Sequence, residues 1–440
     1  MTFNLPFKSI FFLNLFIVLG FIAFSQNDSI KKFNNENYSA EGFDLYFKQQ
    51  LVIGGQATCL YQHQSALYNP KYDGPISISP KADDQVLGMA TLNLLIKLWK
   101  RGEFVISPEM QLGNGIGNGK GMGAYPNALY GNPQNTPYLL RAHYRHHFFF
   151  KNSVLKEYNF TIGRYALMEM FDMNAYASDP KKDFFNFSHT MLNAWDAAIT
   201  AYGYTQGLAQ TLKFKNASVS LSVNTHNKEA GGPETDWNVA KAYSVNLQLV
   251  KNIKLFGKTG KVRLLSFYNS YNGGSFSDYY TDSLSHTAYY DSAHAYTTKF
   301  GGGIDISYDL NKRSGLFLRY SKSDGLHEDF GYTQCDGSLN GGALVGMNII
   351  KRPTDRFGIC ASLNTISPLH QQFLKDGGTG FMLGDGNLTY APETIFETLY
   401  CINIKDHCFI TLNYQYAMNV GYNHDRKNAH FLGARLNLTL

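Results

Sequence analysis

Residues 203–225 read GYTQGLAQTL-KFK-NASVSLSVNT, and the last ten decide the fold. Ala217, Val219, Leu221 and Val223 alternate with Ser218, Ser220, Ser222 and Asn224. A strict period of two puts one row on each face of an extended strand, so one face is greasy and the other polar. Only Lys213 to Lys215 separate this strand from the one before it. The same alternation recurs at Val245, Leu247 and Leu249 against Ser244, Asn246 and Gln248. Extended along the chain, it predicts sixteen strands: 46–61, 85–98, 103–112, 138–149, 157–166, 203–212, 216–225, 241–250, 261–271, 297–309, 314–321, 338–350, 356–365, 394–404, 408–418 and 429–440.

A soluble sandwich alternates too, so the connections must discriminate. Every second one is short and usually basic: Trp99 to Gly102, Lys213 to Lys215, Leu310 to Arg313, Lys351 to Asp355 and Lys405 to His407. Those between are mostly long: 62–84, 113–137, 167–202, 226–240, 272–296, 322–337 and 366–393. Connections 150–156 and 251–260 are intermediate. Brief turns at one end and long loops at the other mark a transmembrane antiparallel β-barrel, all-β, with periplasmic turns and extracellular loops. Hydrocarbon offers no hydrogen bonds, so a spanning sheet must close on itself. An even strand number then predicts both termini in the periplasm of an outer-membrane protein. The last strand has Leu432, Ala434, Leu436, Leu438 and Leu440 outward and Gly433, Arg435, Asn437 and Thr439 inward. The 30 Tyr and 32 Phe are expected in interfacial girdles.

Composition removes other classes. With 44% hydrophobic, 15% aromatic and 17% charged residues and a net charge of +5, the chain is neither disordered nor a helical membrane bundle. Its 440 residues would suit about three soluble domains, yet no Pro-rich, Ser-rich or charged linker divides residues 42–440. Residues 1–25 carry Lys8, an apolar run from Ile10 to Phe24 and small residues at Ala23 and Ser25, the pattern of a secretory signal peptide. Asn14 interrupts the run, which disfavours a retained anchor, and the mature chain is expected to start at Gln26. A polar lead-in, 26–41, precedes the barrel domain, 42–440. Five Cys, at 59, 335, 360, 401 and 408, leave at least one unpaired and are too sparse for a disulfide scaffold. Two independent thiols are favoured at Cys401 and Cys408, and their pairing stays open.

Three catalytic signals fail. The run from Gly113 to Gly123 has Asn114 where a phosphate-binding GxxxxGK needs Gly, and no Ser or Thr follows Lys120. Arg141, His143, Arg145, His146 and His147 contain no HExxH and lie on a strand. No GxSxG elbow occurs. No enzyme activity, metal or cofactor is expected. On a barrel, Arg141, His143, Arg145 and His147 form one row, Ala142, Tyr144, His146 and Phe148 the other. Arg at the midplane costs about 2–4 kcal/mol against lipid, so the cationic row should face the lumen. Glu103, Ser107, Glu109 and Gln111 share that side of the preceding strand, opposite Phe104, Ile106, Met110 and Leu112. Such a mixed wall either exchanges hydration with neutral, hydroxyl-rich solutes or forms a salt-bridged plug.

Several blocks in order resemble the carbohydrate-selective porin family, the OprB-type porins. They are Ala124-Tyr125-Pro126-Asn127; Gly163-Arg164-Tyr165 with Phe171-Asp172-Met173-Asn174-Ala175-Tyr176-Ala177, Ala194-Trp195-Asp196 and Tyr202-Gly203-Tyr204; and above all Gly377 to Leu388, continuing through Tyr390-Ala391-Pro392-Glu393 to Glu397-Thr398-Leu399-Tyr400. Leu412 to Tyr416, Tyr422 to Arg426 and Gly433 to Leu436 complete the series. Asn419 and Lys427-Asn428 depart from the family's Pro and Gly-Pro at a loop, which touches the outer rim and not the fold. The resemblance implies a sixteen-stranded porin for passive, selective diffusion of small carbohydrates such as glucose, with Arg and Glu side chains narrowing the passage. The alternative is a general or anion-preferring porin; a plugged structural or enzymatic barrel ranks below both. Strand phase and loop position nominate Glu109, Arg141, His143, Arg145, Arg164, Glu169, Arg319 and Arg435 as pore-lining residues, with Tyr125 or Trp195 stacking on a sugar ring. Gly384, Asp385 and Gly386 are assigned a turn role. Expected partners are small neutral sugars, outer-membrane lipid and lipopolysaccharide, and the barrel-assembly machinery during biogenesis, with no nucleic acid. Monomer or trimer, and an inward fold of 167–202, stay open.

Overall fold

The computed structural model describes residues 51–67, 74, 76–129, 135–151, 153–281, 288–290, 295–405 and 407–439. The expected signal peptide, the expected lead-in and the start of the first predicted strand lie outside them. Sixteen strands form one closed ring: β1 Leu51–Gln64, β2 Asp83–Trp99, β3 Gly102–Leu112, β4 Tyr138–Phe149, β5 Leu155–Tyr165, β6 Thr205–Phe214, β7 Ala217–Asn227 and β8 Tyr243–Leu255 make the first half. The second half is β9 Lys258–Gly273, β10 Ala295–Asn311, β11 Ser314–Ser323, β12 Gly337–Met347, β13 Arg352–Thr365, β14 Glu393–Lys405, β15 Cys408–Met418 and β16 Ala429–Thr439. Each strand pairs antiparallel with its sequence neighbours, and β1 closes on β16 from Gln56 opposite Thr439 to Gln64 opposite Phe431. No edge is left, as a sheet in hydrocarbon requires.

The alternation read from sequence is the wall of this ring. On β7, Leu221 and Val223 are exposed while Ser222 is fully buried and Asn224 nearly so; on β16, Leu432 is exposed and Arg435 and Asn437 are buried. The exposed row would aggregate in water and is at home in lipid. The intermediate connection 251–260 is in fact a two-residue turn, Phe256-Gly257, both at positive φ (49° and 76°), the geometry of a tight hairpin. Lys251 and Lys254 read as loop because they are charged, yet they continue the ladder beyond the apolar band.

Aromatic residues do more than form girdles. Trp99, Phe148, Tyr296 and Tyr320 face outward, but Tyr165, Phe171, Phe184, Phe185, Trp195, Phe276 and Tyr422 are almost wholly enclosed and glue the long loops into the barrel. The segment 166–204 carries the short helix α1, Phe187–Thr190, capped by Asn186. It enters the lumen, and residues 183–200 are buried throughout. A second helix, α2, Pro368–Lys375, is capped by Ser367 and packs Phe373 against Phe276 and Tyr279. The five cysteines are free thiols. Cys401 pairs in register with Thr411 and Cys408 with Lys405 and Leu438, so the two sit apart on their hairpin.

Candidate permeation site

Polar side chains of the inner wall hold the inward segment. Glu397 on β14, fully enclosed, accepts from Phe185 N (2.5 Å), Asn186 N (3.1 Å), His189 Nδ1 (2.6 Å) and Asn413 Nδ2 (2.6 Å). Asn246 on β8 accepts from Trp195 Nε1 at 3.0 Å. Asn364 and Ser362 on β13 bond Asn193 and Ser188, and Gln415 on β15 bonds Asn186. Arg319 on β11 donates to Asp305 (3.0 Å), Ala177 O (3.1 Å), His189 O (2.9 Å) and Ser178 Oγ (2.8 Å). Arg435 on β16 donates to Pro180 O (2.6 Å) and Asp183 O (2.8 Å), with its guanidinium 4.3 Å from the Phe185 ring centroid. From Phe171 onward these hydrogen bonds to the wall run from β8 to β16. The segment's hydrogen bonds therefore favour one side of the barrel, with Phe185 packed on Leu60 of β1 and Leu87 of β2, and the charged wall of β3 to β6 lies on the other side.

On that facing wall the cationic row points inward, as its alternation demands. Arg141 Nε donates to Glu169 Oε2 at 2.8 Å, a second nitrogen bonds Glu169 Oε1, and Nη1 reaches Asn93 Oδ1 at 2.9 Å. This bidentate pair joins β4 to the start of the inward segment. Burial alone would raise the Glu169 carboxyl, but the Arg141 guanidinium outweighs it and holds the group below the ordinary carboxylate range. Arg145 bonds Glu103, His147 lies 3.5 Å from Glu103 and 3.3 Å from Glu157, and Lys213 is 3.2 Å from Glu157. His143 is inward and bonds Arg164 O at 3.0 Å. Glu109 is inward and nearly enclosed, held by Thr91, Gln111 and Tyr138. Of the nominated residues facing the lumen, those that keep most open surface are Glu169 (37%), Arg145 (17%) and Arg141 (13%).

Three nominated residues do not line the passage. Arg164 pairs with Ala142 on the outer row, in phase with exposed Ile162; it donates to Leu139 O at 3.1 Å and lies 4.1 Å from the Tyr204 ring centroid. Its row, Tyr158, Phe160, Ile162, Arg164, was readable from the alternation. Arg319 and Arg435 point inward but are sealed beneath the inward segment. Tyr125 and Trp195 are also buried, at 5% and 1% exposure, and offer no free ring face. Residues that the sequence reading missed, Glu397 and Asp305 among them, are docking pegs, and nothing in a strand's alternation separates a hydrated lumen residue from one bonded to a loop.

Among the described residues two groups of ligand-type side chains converge, His189, Cys360 and Glu397, and Asp329, Asp336 and His370. In the first, the Glu397 carboxylate is engaged by four donors. In the second, Lys299 Nζ bonds Asp329 and lies 3.8 Å from Asp336, so a cation already occupies it. Both fasten loops. The motif around Asp385 is likewise structural: Gly384 and Gly386 have φ of 145° and 81°, and Asp385 bonds Ser77, Asn423 (3.2 Å) and Arg426 (3.0 Å).

A closed sixteen-stranded ring with a lipid-compatible exterior, a charged interior and a segment folded into its lumen defines an outer-membrane diffusion porin. The sequence profile described as Carbohydrate-selective porin, OprB family, matches residues 85–440. A comparison with curated proteins finds no match. Among solved structures, the chain is similar to Pseudomonas putida OprB at high pH, at 14% identity and a TM-score of 0.70, covering 90% of this chain and 96% of that one. The outer membrane channel DcaP of Acinetobacter baumannii is similar at 8% identity and a TM-score of 0.52, over 89% and 97% of the two chains. The chain belongs to the OprB family of carbohydrate-selective porins, channels through which sugars diffuse across the outer membrane.

Proposed function

We propose that small neutral sugars of monosaccharide size, glucose among them, cross passively between the β3 to β6 wall and the inward segment. The observation that carries this reading is the Arg141–Glu169 pair, which joins the two sides and keeps part of its surface open. Arg141, Arg145 and Glu169 meet the sugar directly; Glu103 stands behind Arg145 and fixes its rotamer, while His143 and Glu109 complete the polar wall beside them. A hydroxyl both donates and accepts, so adjacent guanidinium and carboxylate groups replace its hydration without holding it tightly. Weak, multi-site binding is what flux requires. Both termini face the periplasm, residues 1–25 are removed on export, and the barrel-assembly machinery inserts the chain among phospholipid and lipopolysaccharide.

The test is liposome swelling with wild type, Arg141→Ala and Glu169→Gln. The reading expects each variant to change the ratio of glucose entry to entry of a neutral amino acid of similar size. Unchanged ratios in both variants would remove these residues from the passage.

A further inference from the structure

The short connections are basic, and nothing in sugar diffusion uses that. Segments 99–102, 150–156, 213–217, 251–260, 310–313, 348–355 and 405–407 hold 14 Lys and Arg against two carboxylates, leaving 25 Lys and Arg against 32 carboxylates elsewhere. The described residues of all seven stand at the end of the barrel away from the long loops. Lys100, Lys151, Lys215, Lys254, Lys312 and Lys351, one from each of six of these segments, are exposed, and none makes an ion pair with a described residue. Of the two acids, Asp355 is already bonded to Arg352. Between the cations the turn tips are apolar and open: Ile349 is 92% exposed, Phe256 89% and Val154 82%.

We propose that this rim is a binding surface for anionic phospholipid headgroups, glycerophosphates of the leaflet bordering the short turns. The charge is spread round the whole circumference. An annulus of lipid touches a barrel on every side, whereas a protein partner would meet one face. Ammonium groups flanking an exposed Phe, Val or Ile match a bilayer boundary, where phosphate lies beside the first acyl carbons. Assignment to the periplasmic leaflet rests on the orientation proposed above; the lipid selectivity does not.

The experiment reconstitutes the full barrel in phosphatidylcholine liposomes with spin-labelled phosphatidylglycerol or spin-labelled phosphatidylcholine, and reads the motionally restricted fraction of each by electron paramagnetic resonance. The proposal expects about a threefold preference for phosphatidylglycerol at low salt, lost at about 0.5 M salt. It expects the preference to vanish when the six lysines become glutamine and to survive when they become arginine. Equal restriction of both lipids by wild type, or a preference unchanged in the glutamine variant, would overturn it. If the glutamine variant fails to fold, judged by its heat-dependent gel mobility, the salt and arginine arms still decide. Swelling of the same liposomes in glucose reads the channel separately: loss of sugar entry with lipid preference intact counts against the transport reading alone.

Discussion

Replacing Glu397 with alanine should open the passage without breaking the barrel. In the folded chain this carboxylate receives four hydrogen bonds, two of them from the consecutive backbone amides of Phe185 and Asn186. Alanine offers no acceptor. A buried donor left without a partner costs about 1–3 kcal/mol, and Asn413 and His189 can partly reorient, so the loss falls at about 3–5 kcal/mol. That cost lands on the docking of the inward segment, because the ladder bonds of β14 to β13 and β15 use backbone groups only. The segment should detach near α1, the size cut-off should rise, and a disaccharide should enter liposomes at a rate closer to that of glucose. Single-channel conductance should rise alongside. Glu397→Gln keeps one acceptor oxygen and should fall between alanine and wild type. Conductance and size cut-off identical to wild type, in a variant whose thermal stability has dropped by the expected amount, would refute the reasoning that this carboxylate holds the segment across the lumen.

Other positions give independent tests. Burial pushes the Glu328 carboxyl, in the loop before β12, up to about 7, while Gly274 N–H and Lys299 oppose the rise. A carboxyl raised in the folded state favours folding below its unfolded value of about 4.3 and loses that advantage as pH climbs through 7. Glu328→Gln should therefore stabilise by about 2–4 kcal/mol at pH 8 and by almost nothing at pH 4, and equal shifts in melting temperature at both would contradict it. Glu169 has the opposite sign: held low by Arg141, its contribution is present above about pH 4.3 and fades as pH falls through its lower folded value. Acidification of wild type should consequently reproduce the Glu169→Gln swelling ratio. Gly119 has φ of 74°, and a Cβ there would fall 0.4 Å from Tyr125 Oη. Gly119→Ala should cost about 2–4 kcal/mol in thermal unfolding, since both the backbone and the buried Tyr125 must move.

Strand positions were legible because a lipid-facing wall enforces a period of two, and β4 and β15 match their expected limits residue for residue. The turn at Phe256-Gly257 was hidden by lysines that extend the ladder past the apolar band. Arg164 was misplaced although its own row carried the answer, because its position beside a long loop outweighed its phase. Arg319 and Arg435 were placed on the correct face, yet their burial depends on where residues 166–204 lie. That course is set by scattered pegs, Asn246, Ser362, Asn364, Glu397 and Gln415, on four strands of the wall, and no local pattern links them. The inward orientation of Arg141 and Arg145 was legible because a cationic row on a strand has only the lumen to face, whereas Glu169, in the turn after β5, was nominated by loop position alone.

The most direct measurement of the central claim is swelling of liposomes holding the refolded wild-type barrel, in glucose, a disaccharide, a neutral amino acid of similar size to glucose, and salt. Glucose entry faster than that of the amino acid, with the disaccharide slower than both, is the predicted result. Rates ordered by size alone, or no swelling in any solute, would contradict it.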